Sequence, residues 1–103
     1  LGYDFYLFHE LGTGQPSLLH EDSDGQLRLS QLEPDPDHLV LGASGVELVP
    51  RPAPTMTVRE AVERLRSGGE PFVFFADRGS GDASVLYVRY DGHDGLITPA
   101  PAS

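Results

Sequence analysis

The chain has 103 residues, enough for one compact domain or two very small ones, and halves of about 50 residues would each bury too little surface to stand easily alone. Sixteen acidic residues face seven arginines and no lysine, for a net charge of −9; nucleic-acid binding rests on phosphate neutralisation by basic side chains, so this segment by itself is a poor RNA or DNA binder, and its acidity serves solubility. The lack of cysteine excludes disulfides, thiol catalysis and zinc–thiolate sites, and no apolar run approaches the roughly 18 residues that read as a membrane span.

The chain starts Leu1-Gly2-Tyr3-Asp4, with neither Met nor a basic stretch, so no signal peptide is read there and an upstream part is expected to have been removed or not shown. Residues 1–31 are best read against residues later in the chain. Placing Phe5 on Phe72 gives a register that runs without a gap to Gly25 on Gly92: Phe8 meets Phe75, Gly12 meets Gly79, Gly14 meets Gly81, Ser17 meets Ser84 and Asp24 meets Asp91. Phenylalanines in a first strand, glycines in a first turn and Asp-Gly in a second turn recur where core packing or backbone geometry dictates the residue. Residues 1–31 are therefore expected to be a partial first copy made of strands only, its own helix upstream or lost.

Residues 32–54 are read as a linker and an entering strand. Two proline-rich breaks bound them, Glu33-Pro34-Asp35-Pro36-Asp37 and Pro50-Arg51-Pro52-Ala53-Pro54, because proline lacks a donor and fixes φ. Between them, His38 to Val49 is expected to be the strand that enters the second copy, with Gly42 and Gly45 marking a bend.

Residues 55–99 carry the second copy, a helix and three strands. Val58, Ala61, Val62 and Leu65 fall at i, i+3, i+4 and i+7 on one stripe. Thr57 and Glu60 form a capping box, Glu60 and Arg64 have i,i+4 spacing for an ion pair, and Gly68-Gly69 ends the helix, which is read as Thr57 to Ser67. Pro71 to Ala76, Ser84 to Tyr90 and Leu96 to Thr98 read as strands, joined by the turn-forming stretches Asp77 to Asp82 and Asp91 to Gly95. Residues 100–103 read as a frayed tail. The fold class expected is α+β: small antiparallel meanders with one helix, in two tandem copies of which the first is partial, packed as a dimer or pseudo-dimer.

Met56 to Pro99 resembles the C-terminal domain of long-form hibernation promoting factors, a family also called ribosome-associated inhibitor and sigma-54 modulation protein. The carriers are Met56-Thr57-Val58-Arg59-Glu60-Ala61, then Gly69-Glu70-Pro71-Phe72-Val73-Phe74-Phe75, then Val85-Leu86-Tyr87-Val88-Arg89-Tyr90-Asp91-Gly92 and the closing Gly95-Leu96-Ile97. Two departures stand out: Arg89 is followed by Tyr90 where the family has a second basic residue, and Asp94 stands where an aromatic usually precedes the last glycine. The first copy lacks the Tyr-Arg pair and the Gly-Leu-Ile ending. The resemblance implies a cytoplasmic bacterial protein in which a separate basic domain meets the small ribosomal subunit and inhibits translation. Its C-terminal domain then self-associates, as a homodimer or, with two copies in one chain, as an internal pseudo-dimer. It implies no enzyme activity, no cofactor and no membrane partner.

Candidate interface residues follow from strand alternation. Phe72 and Phe74 alternate with Val73 and Phe75, so both strand faces are apolar; one meets the helix, and the other needs a cover, either the first copy or another chain. Phe5 and Phe8 are weighed the same way. Val85, Tyr87, Arg89 and Tyr90 complete the candidates, Tyr being enriched in interfaces, against the plainer reading of ordinary core and a solvated strand face. His9, His20, His38 and His93 show no paired metal spacing; Ser80 lacks a nucleophile-elbow motif, and Gly12-Thr13-Gly14 and Gly79-Ser80-Gly81 lack the rest of a phosphate fingerprint. The competing readings are an acidic protein-binding adaptor unrelated to translation and a small ligand-binding α+β domain.

Overall fold

A computed structural model describes residues 5–22, 24–39, 45–89 and 92–98. The chain divides into two compact units at Ala53/Pro54. The first contains β1 (Phe5–Glu10), β2 (Gln15–Glu21), β3 (Leu27–Gln31) and β4 (Val46–Leu48) in the order β1-β2-β3-β4; the second contains β5 (Thr55–Met56), α1 (Val58–Gly68), β6 (Phe72–Asp77), β7 (Ala83–Val88) and β8 (Asp94–Ile97), with strand order β5-β6-β7-β8. The fold is α+β.

Each unit is built on a three-stranded antiparallel meander, β1-β2-β3 or β6-β7-β8. Neither sheet is purely antiparallel, however: β4 runs parallel to β3, and β5 parallel to β6. Parallel neighbours need a crossover. In the second unit α1 is that crossover; in the first, the segment after β3 serves.

The pairing register of one meander is that of the other shifted by 67 residues. Phe5 pairs with His20, and Phe72 with Tyr87; Leu7 pairs with Leu18, and Phe74 with Val85; Leu19 pairs with Leu29, and Leu86 with Leu96. The five β6–β7 pairs and the four β7–β8 pairs all fall on pairs of the first meander. The turns agree as well. Gly14 and Gly81, at φ 66° and 80°, each donate an N–H to the carbonyl four residues back, on Glu10 and Asp77; positive φ is cheap for glycine. Ser17 and Ser84 are both fully buried, and each hydroxyl donates to the carbonyl two residues back, at 3.3 and 3.4 Å.

The helix forms where its capping signals place it. Thr57 Oγ1 accepts from the Glu60 N–H at 3.1 Å while the Glu60 carboxylate accepts from the Thr57 N–H at 2.9 Å, and Gly69 closes the helix at φ 71°. The ion-pair partner of Glu60 is Arg78, at 3.5 Å, in place of the expected Arg64. Ala61 and Leu65 are buried with Met56, Val73, Phe75 and Leu86, and Val58, Val62 and Val88 pack against that cluster.

One sequence expectation is corrected. His38 to Val49 does not enter the second copy: β4 within it pairs with β3 and belongs to the first unit. The second unit is entered by β5, whose neighbour Pro54 accepts from the Ala76 N–H at 2.8 Å. The proline-rich stretch 50–54 is the break between the units, which divide at Ala53/Pro54, and up to Ala53 it also runs beside β3. Val49 and Ala53 donate to the Leu29 and Gln31 carbonyls, so the donors turned towards β3 come from odd-numbered residues. Pro50 and Pro52 stand at even positions between them, where a missing N–H costs nothing. The expected bend at Gly42 and the tail lie outside the described residues.

Candidate association surfaces

The strand alternation of the second meander gives it two different faces. Val73, Phe75 and Leu86 meet α1. The opposite face carries Phe72 beside Tyr87 and Phe74 beside Val85, with Ile97 next to Val85. Four of the residues singled out from the sequence, Phe72, Phe74, Val85 and Tyr87, thus share this face. Phe74 and Val85 are buried, and Phe72 and Tyr87 half-buried. Arg89 is exposed beyond the end of β7, and Tyr90 lies outside the described residues.

Tyr87 sits over a glycine. A Cβ on Gly95, its cross-strand partner, would fall 2.6 Å from Tyr87 Cζ, so the ring occupies the volume a side chain would need. This packing supplies a physical reason for the glycine of the closing Gly-Leu-Ile. The preceding Asp94, the departure from the family's aromatic, accepts from Arg66 Nη2 at 3.2 Å and ties the last turn of α1 to β8.

In the first meander the equivalent face is more polar. Phe5, Leu7 and Leu18 are apolar, but His20 stands where the second meander has Tyr87, and Arg28 where it has Gly95. Arg28 reaches Asp22 at 2.6 Å and Glu47 at 2.8 Å, and the Arg28 guanidinium holds the Asp22 carboxyl below its ordinary pKa. His20 Nε2 is 3.0 Å from Ser30 Oγ. Burial, seconded by Arg28 and opposed by Asp22, lowers the pKa of His20 from 6.5. Phe8, matched to Phe75, lies on the other face from Phe5 and is half-buried.

A network that sequence reasoning missed lies in the first unit. The Gln31 amide is fully buried; it donates to Thr13 Oγ1 at 3.0 Å and Ser17 Oγ at 2.9 Å and accepts from the Asp35 N–H at 3.2 Å. The buried Glu10 carboxylate accepts from the Thr13 N–H at 2.7 Å and its hydroxyl at 2.8 Å. In the second unit Asp77 Oδ1 accepts from the Gly79 N–H at 2.9 Å. Each Gly-x-Gly turn is thus occupied by its own carboxylate, which repels an incoming phosphate. Among the described residues no group of three His, Asp or Glu side chains is placed to hold a metal, and no helix is long and apolar enough to cross a membrane.

The sequence of the second unit matches a known domain. The family model described as "Sigma 54 modulation/S30EA ribosomal protein C terminus" matches residues 49–96. Residues 49–96 belong to that family. The "Dormancy associated translation inhibitor" of Mycobacterium tuberculosis, in strains CDC 1551 / Oshkosh and ATCC 25618 / H37Rv, is 37% identical over 106 residues, covering 96% of this chain and 39% of that protein. The "Ribosome-binding factor PSRP1, chloroplastic" of Spinacia oleracea is 41% identical over 46 residues, covering 45% of this chain and 15% of that protein. The chain thus spans well under half the length of these relatives. The mycobacterial similarity runs through both units, whereas the family match covers the second unit and only the last five residues, 49–53, of the first.

Proposed function

We propose that this region is the protein-association part of a ribosome hibernation factor, a protein that inhibits translation and keeps inactive ribosomes intact. The observation that carries the reading is the family match of residues 49–96, joined to the similarity of nearly the whole chain to a dormancy associated translation inhibitor. In this reading a part of the protein beyond these 103 residues meets the small subunit in the cytoplasm. The present region, with a net charge of −9, associates with protein and leaves rRNA alone. It contributes no catalysis.

Association takes one of two forms. In the first, the Phe72, Phe74, Val85 and Tyr87 face, with Arg89 and Tyr90 at its rim, pairs with a second chain about a two-fold axis. The second form is favoured by the 67-residue register match: the two meanders are tandem copies, and they stand in for the two chains of a homodimer at the high effective concentration a tether provides. Light scattering over a concentration series tests both. Twice the chain mass is the result of chain-to-chain pairing. The mass of one chain at every concentration, with cooperative unfolding of both units together, is the result of internal pairing. A single-chain mass with two independent unfolding transitions removes both forms.

A further inference from the structure

Positions that match in register are covered very differently in the two units. On the face that α1 covers, Val73 is 7% exposed, and Phe75 and Leu86 are buried. Sixty-seven residues earlier, Tyr6 is 71% exposed and Phe8 and Leu19 are half-buried. Tyr6, Leu19, His20, Glu21 and Leu27 line an open groove of about 210 Å³. The bare area lies mainly on the β1–β2 side and reaches β3 only at Leu27, which is 37% exposed. Leu29 on β3 is fully buried where its counterpart Leu96 is 46% exposed, and it is flanked by β4.

What stands at the corresponding place in the second unit is unambiguous. β5 adds parallel to β6, and α1 lies on Val73, Phe75 and Leu86. Both come from residues 55–68, directly ahead of β6 in the chain. A strand that crosses over through a helix to a parallel neighbour does so with one hand, so the same connection leading into β1 puts its helix on the Tyr6 face. In the mycobacterial relative, more than half of the polypeptide lies outside the region similar to this chain.

We propose that the first sheet is completed by a strand–helix segment of the same polypeptide, N-terminal to Phe5, which adds parallel to β1 and lays an apolar helix stripe over Tyr6, Phe8 and Leu19. Because Tyr6 is larger than Val73, the helix position facing it is small, alanine or glycine, where interiors are packed to fixed volume. The proposal rests on the shared register and is independent of any role at the ribosome.

The test uses the gene product as it is expressed. These 103 residues contain no cysteine, so Tyr6→Cys and Leu11→Cys, the latter at an 85% exposed position, are alkylated with a maleimide and read against the unsubstituted protein. Tyr6→Cys is expected to react at least roughly tenfold more slowly than Leu11→Cys, at every protein concentration. Equal rates overturn the proposal. Protection that is lost on dilution also overturns it, because the cover is then a second copy. So does an intact mass that accounts for these 103 residues alone. Should Tyr6→Cys loosen the sheet, amide exchange of the unsubstituted protein decides: β1 amides as slow as those of β6 are expected, and β1 amides exchanging as an outer strand contradict the proposal.

Discussion

Gly95 and Tyr87 show how one position can set a surface. A methyl group at Gly95 would lie 2.6 Å from the Tyr87 ring, well inside contact distance, so Gly95→Ala must push the ring off the sheet. Overpacking of this kind costs about 1–3 kcal/mol, read as a lowered denaturation midpoint. Because the clash is with that ring, Tyr87→Ala combined with Gly95→Ala should cost less than the sum of the two single changes; strict additivity contradicts the contact. The sequence displayed the Gly-Leu-Ile ending but not this reason for it, since the ring comes from the neighbouring strand. The histidines make a second prediction. His20 has its pKa lowered by burial, so its neutral form favours the fold: its contribution is full above pH 6.5 and is lost as pH falls through the lowered value. His38, raised by Asp35, has the opposite sign, with a contribution that is full below pH 6.5 and lost as pH rises through the raised value. His20→Gln should therefore flatten the acid side of a stability profile taken between roughly pH 5 and 8. An unchanged acid slope would contradict the assignment.

Helix α1 was the most legible element, because its cap, stripe and stop are all local. Thr57→Ala removes the acceptor for the Glu60 N–H and should cost about 1 kcal/mol. Leu65→Ala empties a position in the cluster around Phe75 and should cost about 2–5 kcal/mol; both are read by chemical denaturation. The Thr57 N–H holds the Glu60 pKa below 4.5, so this part of the cap's stability is lost as pH falls through the folded value. The strands of the second meander were legible from alternation and glycine-bearing turns, with ends displaced by one or two residues. The parallel strands were not. β4 has three residues and β5 two, too short for a periodic pattern; the break read at residues 50–54 does hold the division between the units, but the prolines gave no sign that Val49 and Ala53 bond to β3 on the way to it. The Gln31 network was equally hidden: its partners Thr13, Ser17 and Asp35 are dispersed in sequence and are brought together only by pairing.

Across the whole molecule, the gapless alignment of Phe5 with Phe72 was visible in the residues, and the strand pairs fall on that same 67-residue shift. What differs is the chemistry each meander places on equivalent positions. The second carries Tyr87 over Gly95, whereas the first carries His20 beside an Arg28 that bridges Asp22 and Glu47. Such divergence fits one aromatic association face and one polar companion. The central claim is that this acidic region serves a ribosome hibernation factor by contacting protein. The direct measurement is sedimentation of ribosomes with the expressed gene product, with the same protein lacking these 103 residues, and with these 103 residues alone. The account predicts that the first two travel with the small subunit or the whole ribosome, that the isolated region does not bind protein-free rRNA, and that losing it changes the particles formed or their stability. A gene product that stays at the top of the gradient, or an isolated region that binds rRNA, would contradict it.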